Sequence, residues 1–318
     1  MSVLICFVRR VGGQFFAIQT RHFSTNLSEA ESWSSTVEKR SPRIKLAISL
    51  KERKYREKHD KILLEGWRLI KDALLAKADA VNIFFSNKTL LERLPLETDK
   101  RLFIPVDSYV MQRLSSTVTP PGIVGVFKRP PQGVSANKSS VETQYQKQHL
   151  PLTIICDGVK DPSNLGTLIR VSAAAGCRSL ITTKGSMEVW DPKVLRCAAG
   201  GHFHLSLFYS LTWSSILNQI GKNTRVFMAD SSVETSERDT SKAHYEVDWT
   251  LSPSALLIGG ETTGLSNEAR NLIKERTGQT IRIPMVEGVD SLSAGVAASV
   301  IVYEIYRQKH HENMNKDY

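Results

Sequence analysis

Apolar and polar positions repeat along this chain with two different periods, and the places where the period changes mark its elements. Near the C-terminus, residues 281–283 read as a short strand, a Pro-led loop follows, and a helix then runs to Gln308. The first turns of that helix carry small side chains at Ala294, Gly295, Ala297, Ala298 and Ser299, before the larger Val300, Ile301, Val302 and Ile305. Such a start lets a helix lie close against another backbone or a flat ligand. Upstream, apolar runs at 152–156, 179–183, 204–208, 225–229 and 255–258 predict strands, and helices are expected at 165–175, 192–199, 213–220 and 267–274. Strand and helix alternate throughout, which predicts one α/β domain with a mainly parallel sheet. Ahead of it lies a smaller unit. Trp67, Ile70, Ala73, Leu74 and Ala78 recur at helical spacing. Strands are expected at 81–86, 102–106 and 123–128, and short helices at 90–94 and 108–115, which makes an α/β sandwich over 44–128. Pro, Ser, Asn and Gln dominate 129–150, a linker.

Composition narrows the picture. A chain of 318 residues holds one large or two medium domains. The formal charge of +10 points to a polyanion such as nucleic acid, or equally to a basic mitochondrial protein. Four scattered cysteines without a CxxC pair argue against zinc fingers and disulfide frameworks and fit a reducing compartment. No apolar run reaches membrane-spanning length. Residues 1–25 carry Arg9, Arg10 and Arg21 and no acid, the pattern of a mitochondrial transit peptide. Its apolar stretch at 3–8 is too short for a secretory signal, and its charges follow that stretch. A disordered basic tail is the plainer alternative. Residues 26–43 read as linker and 310–318 as a tail. Cations are dense over 45–61, with Tyr55 and His59 among them, either as a solvated helix face or as an RNA contact.

Candidate chemistry concentrates in the second unit. The first has no nucleophile–base pair and no His/Cys cluster, and reads as a binding module. Asp161-Pro162-Ser163-Asn164 is a helix-start signal after a buried strand, and Arg170 follows about two turns in. Ligands sit at that edge of open α/β sheets. The loop from Gly259 to Gly264 also links a strand to a helix and suits a nucleotide-like ligand, although it lacks both GxGxxG and the lysine of a P-loop. No serine sits in a G-x-S-x-G elbow. His202 and His204 are expected to alternate along a strand, and no acid or histidine shows metal-ligand spacing, so no metal is expected.

Three ordered motifs carry a resemblance: Asn164-x5-Arg170 after a strand, G-x-E-x-x-G-L from Gly259 to Leu265, and IP-x6-SL from Ile283 to Leu292. Together they resemble the SpoU family of RNA ribose 2'-O-methyltransferases, with the match spanning 151–309, and residues 44–128 are similar to the L30e-like substrate-binding domain of many members. The resemblance implies an L30e-like sandwich followed by a SPOUT α/β domain with a C-terminal trefoil knot, S-adenosylmethionine as cofactor, and a homodimer. The resemblance, carried further by DGVKDPSNLGTLIR and DPKVLRCAAGGHF and taken with the transit-like leader, implies the mitochondrial matrix and, as substrate, a guanosine ribose of large-subunit rRNA. By the same resemblance, the backbone at Gly259, Ile283 and Leu292 holds the cofactor. Arg170 is the catalytic arginine, Asn164 orients Arg170 or the ribose, Glu261 fixes the cofactor loop or pairs with Arg170, and Ser291 bonds the 2'-OH or the loop. Each has a plain alternative: core for Ile283 and Leu292, a turn for Gly259, a helix ion pair for Arg170, exposed surface for Glu261, and a helix cap for Asn164 and Ser291.

One position departs from the pattern. Family members usually place Asn directly after Ser-Leu, and Ser293 stands there. Serine lacks the amide's reach and second donor. Two readings therefore stay open: a methyltransferase, or an rRNA-binding assembly factor that keeps the fold with little catalysis. The missing GxGxxG disfavours a nicotinamide enzyme.

Overall fold

A computed structural model divides the chain into two units, Met1–Thr36 and Val37–Tyr318. It describes residues 10–11, 14–15, 41–133, 150–230, 241–251 and 253–316. In the first unit these form one antiparallel pair, β1 (Arg10–Val11) with β2 (Gln14–Phe15). The rest of the expected transit segment, the bulk of the 26–43 linker and the middle of the 129–150 linker lie outside the described residues.

The second unit opens with α1 (Pro42–Ser49) and α2 (Arg53–His59), then β3 (Lys61–Glu65), α3 (Trp67–Leu75), β4 (Ala80–Phe85), β5 (Phe103–Pro105), α4 (Ser108–Leu114) and β6 (Ile123–Lys128). The strands form a sheet in the order β3-β6-β4-β5, antiparallel except for β4 with β5. Strand β3 is absent from the sequence reading. Its three central residues, Ile62, Leu63 and Leu64, are all buried, so it offers a short apolar run with no alternation to detect. The helix expected at 90–94 is a 3₁₀ turn at Lys88–Arg93, started by the Asn87 side chain accepting from the Thr89 amide at 3.1 Å.

A seven-stranded sheet follows: β7 (Leu150–Asp157), β8 (Cys177–Thr183), β9 (Ser206–Leu211), β10 (Arg225–Ala229), β11 (Lys242–Ala243), β12 (Ser254–Gly259) and β13 (Gln279–Arg282). Its order is β11-β13-β10-β12-β7-β8-β9, and every pairing is parallel. Between the strands run α5 (Pro162–Ala174), α6 (Pro192–Ala198), α7 (Trp213–Gln219) and α8 (Asn267–Glu275), and α9 (Ala294–Lys316) closes the chain. Helices on both faces bury the central strands, as a parallel sheet requires. On one face, Ile155, Ile181, Met228 and Leu257 pack with Ile216 of α7 and with Ala269 and Leu272 of α8. Strand order reverses between β7 and β12, so a crevice opens at their C-terminal ends.

His202 and His204 do not alternate along a strand. His202 lies in a 3₁₀ turn at Gly201–Phe203, which places the start of β9 at Ser206. The His202 ring is buried beside Trp190, with centroids 5.0 Å apart, and its Nε2 is 2.7 Å from the Val189 carbonyl. Burial pushes its pKa down to about 4, so the ring is neutral and serves packing.

The two sheets of this unit are joined by buried charge. Arg56 of α2 is 2% exposed. Its Nη1 donates to the carbonyls of Leu50 and Lys51 at 2.8 and 2.7 Å, its Nε donates to Glu188 at 2.9 Å, and its Nη2 pairs with Glu188 and lies 3.7 Å from Asp191. Glu188 and Asp191 precede α6 in the second sheet's domain. Arg196 of α6 donates to Ser116 at 2.6 Å, and the Gly133 amide donates to Leu207 of β9 at 2.8 Å. The first residues of the expected linker therefore run along the sheet edge. Truncating Arg56 leaves the Glu188 carboxylate buried and unpaired. Arg56→Ala is expected to cost about 3 kcal/mol or more of stability, read as a lowered urea midpoint. A midpoint equal to wild type would contradict this account of the junction.

Candidate active site

Beside the point where strand order reverses, a cavity of about 420 Å³ opens at the C-terminal edge of the sheet on the β12 side. Its walls come from the ends of β10, β12 and β13, the loop after each, and the first turns of α9. Gly259, Glu261, Ile283, Ser291 and Leu292 all line it. Five residues that sequence reasoning scattered over three roles thus share one pocket. Asn164 and Arg170, the other two, lie on α5 and are not part of its wall.

The loop after β12 owes its shape to glycine. Gly260 and Gly264 exchange backbone hydrogen bonds at 3.2 and 2.9 Å, and Gly264 has φ +62°. A Cβ on Gly259 would lie 2.6 Å from the Gly264 carbonyl carbon, and one on Gly260 would strike the Gly158 carbonyl oxygen. Both positions therefore require close backbone approach rather than a mere bend. Asp157, at the end of β7, anchors the loop's far side. It is buried and accepts from the Ser266 amide at 2.7 Å and the Thr183 hydroxyl at 3.3 Å. The sequence reading missed Asp157, although an acid closing an otherwise apolar buried strand was the available signal.

Helix α5 begins where the sequence put its start signal. Asp161 caps it, accepting from the amides of Ser163 and Asn164 at 2.9 Å each, and Pro162 takes the first position. The Ser163 hydroxyl, then these amides, hold the Asp161 carboxyl below the usual carboxylate range. Asn164 then points its side chain two ways. Its Nδ2 donates to Glu261 at 2.8 Å, and its Oδ1 accepts from the Gly295 amide at 3.4 Å. Glu261 is thus paired with Asn164 rather than with Arg170. Arg170 is exposed, and its guanidinium forms no hydrogen bond or ion pair among the described residues.

The small-residue start of α9 serves two neighbours. A Cβ on Gly295 would lie 3.0 Å from Thr167 of α5, so this position sets the approach of the two helices. Ala294, Ala297 and Ile301 face the cavity instead. The helix cap is Ser293, not Ser291: the Ser293 carbonyl accepts from Ala297 at 2.9 Å and its hydroxyl from Val296 at 3.4 Å. Ser291 is exposed on the cavity rim. Asn and Ser are comparable N-caps, so the departure at Ser293 preserves this local role.

Two further groups went unseen in the sequence. Asp230 and Arg270 pair at 3.0 Å on the cavity wall. Arg282, also on the wall, has a buried Nε without a hydrogen-bond partner among the described residues. No cluster of His, Cys, Asp or Glu there could hold a metal ion, and no described helix is long and apolar enough to cross a membrane.

Residues 151–303 match the SpoU rRNA Methylase family, and residues 41–125 match the MRM3-like substrate binding domain. The chain is 38% identical over 299 residues to "rRNA methyltransferase 3, mitochondrial" of Homo sapiens, covering 81% of this chain and 70% of that protein. The chain belongs to the SpoU family. The Mus musculus protein of the same name is 37% identical over 297 residues, with the same coverage. Among solved structures, the SpoU methyltransferase AviRb from Streptomyces viridochromogenes, in complex with AdoMet, superposes with a TM-score of 0.69 at 24% identity, over 85% of this chain and 99% of that one. An RNA 2'-O ribose methyltransferase superposes with a TM-score of 0.65 at 25% identity, over 85% and 97%. The fold is thus that of SpoU methyltransferases.

Within this SpoU chain, Asn164 is the only bridge seen from α5 to both the Glu261 loop and the start of α9 among the described residues. Asn164→Ala is expected to speed hydrogen exchange at the loop amides 260–265 by about tenfold, against unchanged protection in β7 and β12. Equal loop protection in both proteins would show that the glycines alone hold the loop.

Proposed function

We propose that this chain is an S-adenosylmethionine-dependent RNA ribose 2'-O-methyltransferase acting on a guanosine of mitochondrial large-subunit rRNA, in the mitochondrial matrix. One observation carries the reading: the loop after β12 with Gly259 and Glu261, and the segment from Ile283 through Ser291 to Leu292, line one cavity. The residues present fit the cofactor. Gly259 and Gly260 keep the backbone within reach, Ile258 and Ile301 offer apolar wall, and the unpartnered Nε of Arg282 suits the methionine carboxylate.

The cofactor supplies an electrophilic methyl group, so the protein's work is positioning. The ribose 2'-OH must lie in line with that methyl and release its proton to solvent. The Arg170 guanidinium carries donors only and is no base for that proton. Its role is to clamp an RNA phosphate and stabilise the alkoxide that develops on the ribose oxygen. Asn164 and Glu261 act on the loop rather than on Arg170. Ser291, exposed on the rim, is placed to bond the ribose or the loop.

Arg170 lies outside its own chain's cavity, which favours a dimeric site. Val296, Val300 and Tyr303 recur at i, i+4 and i+7 on α9 and are 49%, 38% and 47% exposed, an apolar stripe suited to a second copy. In that dimer each cavity meets the partner's α5. The same reading gives the C-terminal segment the family's trefoil knot, in keeping with β13 lying between β10 and β11 while α9 returns to pack on α5. The rival reading, an assembly factor with little catalysis, rested on Ser293, and the capping geometry of that serine weakens it.

Methyl transfer from labelled S-adenosylmethionine to large-subunit rRNA is the direct assay. Arg170→Ala is expected to lower the rate by about a hundredfold, with S-adenosylhomocysteine affinity unchanged. Undiminished transfer would remove Arg170 from the mechanism, and a wild-type chain that binds no S-adenosylhomocysteine would sink the cofactor assignment. Val300→Asp is expected to shift the sedimenting species from dimer to monomer; a wild-type monomer would sink the dimeric site.

A further inference from the structure

A second concavity lies on the smaller domain, a solvent-open groove of about 530 Å³ between α3 and the turn at Lys88–Arg93. At its centre is the half-buried ring of Trp67. The Arg68 and Arg93 guanidinium carbons lie 5.1 and 4.9 Å from the ring centroid. Both arginines are exposed, and neither forms an ion pair among the described residues. The lining itself carries two cations, Arg93 and Lys71, against one acid, Glu92, with Arg68 beside the ring just outside it, and Leu75 and Leu96 stand 60% and 90% exposed. An aromatic ring between free guanidinium groups, with exposed apolar edges beside it, is poor chemistry for a packed core and good chemistry for a nucleic-acid strand.

The groove also connects to the reaction centre. On the next face of α3, Asp72 abuts Gly200, where any side chain would meet its carboxylate. A Cβ on neighbouring Gly201 would lie 3.2 Å from the Cα of Arg170. The helix that carries Trp67 and the α5 turn that carries Arg170 therefore both approach the Gly200–Gly201 segment.

We propose that this groove docks an unpaired segment of the substrate RNA, with a base stacked at Trp67 and phosphates held by Arg68, Lys71 and Arg93. This rests on the methyltransferase reading for its substrate, and it adds the surface that holds the strand beyond the target ribose. Single-stranded RNA is favoured over duplex because A-form helices keep their base faces stacked, whereas splayed bases expose a face to an aromatic ring. A protein partner is disfavoured by the two lining cations, with Arg68 beside them, against one acid.

The test is fluorescence anisotropy of the full chain with a labelled single-stranded oligoribonucleotide of large-subunit rRNA sequence and with the same sequence as duplex. Trp67→Ala is expected to weaken single-strand binding by about tenfold or more, and Trp67→Phe by much less. Arg68→Ala, Lys71→Ala and Arg93→Ala combined are expected to flatten the salt dependence, by roughly 2 in the slope of log affinity against log salt. Thermal melting and S-adenosylhomocysteine calorimetry on each variant separate groove from fold and from cofactor site. Normal melting and normal cofactor binding, with lost RNA affinity, is the supporting pattern. Equal RNA affinity in wild type and all variants, or duplex bound as tightly as single strand through Trp67, overturns the proposal. A wild type that binds RNA at Trp67 but no S-adenosylhomocysteine would overturn the methyltransferase reading and leave the groove standing.

Discussion

The site depends on one amide. Asn164 stands in the first turn of a helix that follows a fully buried strand, and it reaches both the loop after β12 and the first turn of α9. Asn164 lies 97 residues from Glu261 and 131 from Gly295 along the chain, so nothing local holds α5 to the other two segments. A side-chain amide is well suited to the task because it donates and accepts at once. The donor end meets the Glu261 carboxylate and the acceptor end meets the Gly295 amide, so neither group is left with an unanswered charge or dipole.

Around that bridge the backbone is drawn in wherever side chains would interfere. Gly259 and Gly260 let the loop fold onto Gly264 and Gly158, and Gly295 lets α9 approach α5. The cavity is the space these close approaches leave over the ends of the parallel strands. The protein then supplies mostly fixed geometry and fixed cations, which is what methyl transfer from an already activated donor requires. The buried Arg56 junction extends the same rigidity to the smaller domain. It holds the smaller domain, with Trp67 and Arg68 on α3, beside the segment at Gly200 and Gly201 that α5 also approaches.

Much of this was legible in the sequence, and the reasons are specific. The alternation of apolar runs and helical patterns gave a parallel α/β sheet, and Asp161-Pro162 marked the start of α5 because a cap and an N1 proline are local signals, although the helix was expected from 165 and begins at Pro162. The motif residues at Gly259, Ile283 and Leu292 could be linked only through resemblance, since no period or spacing relates them. Partnerships were harder. Glu261 pairs with Asn164, not Arg170, and the α9 cap is Ser293, not Ser291, because both depend on where the loop turns. Strand β3 was too short to show a period, and the two-residue β11 shorter still. His202 looked like a strand residue because neighbouring apolar positions suggested one, while the positive φ at Ala199 and Gly200 breaks the chain into a turn. Arg282 was invisible as a functional group until its neighbours were known, whereas Asp157 carried a signal that went unused.

The central claim is that this scaffold places one ribose of large-subunit rRNA beside a methyl donor. Mapping ribose methylation across mitochondrial large-subunit rRNA, in cells with the wild-type chain and in cells carrying only an inactive chain, tests it most directly. The account predicts the loss of 2'-O-methylation at a single guanosine with all other sites retained. An identical methylation map in both would contradict it.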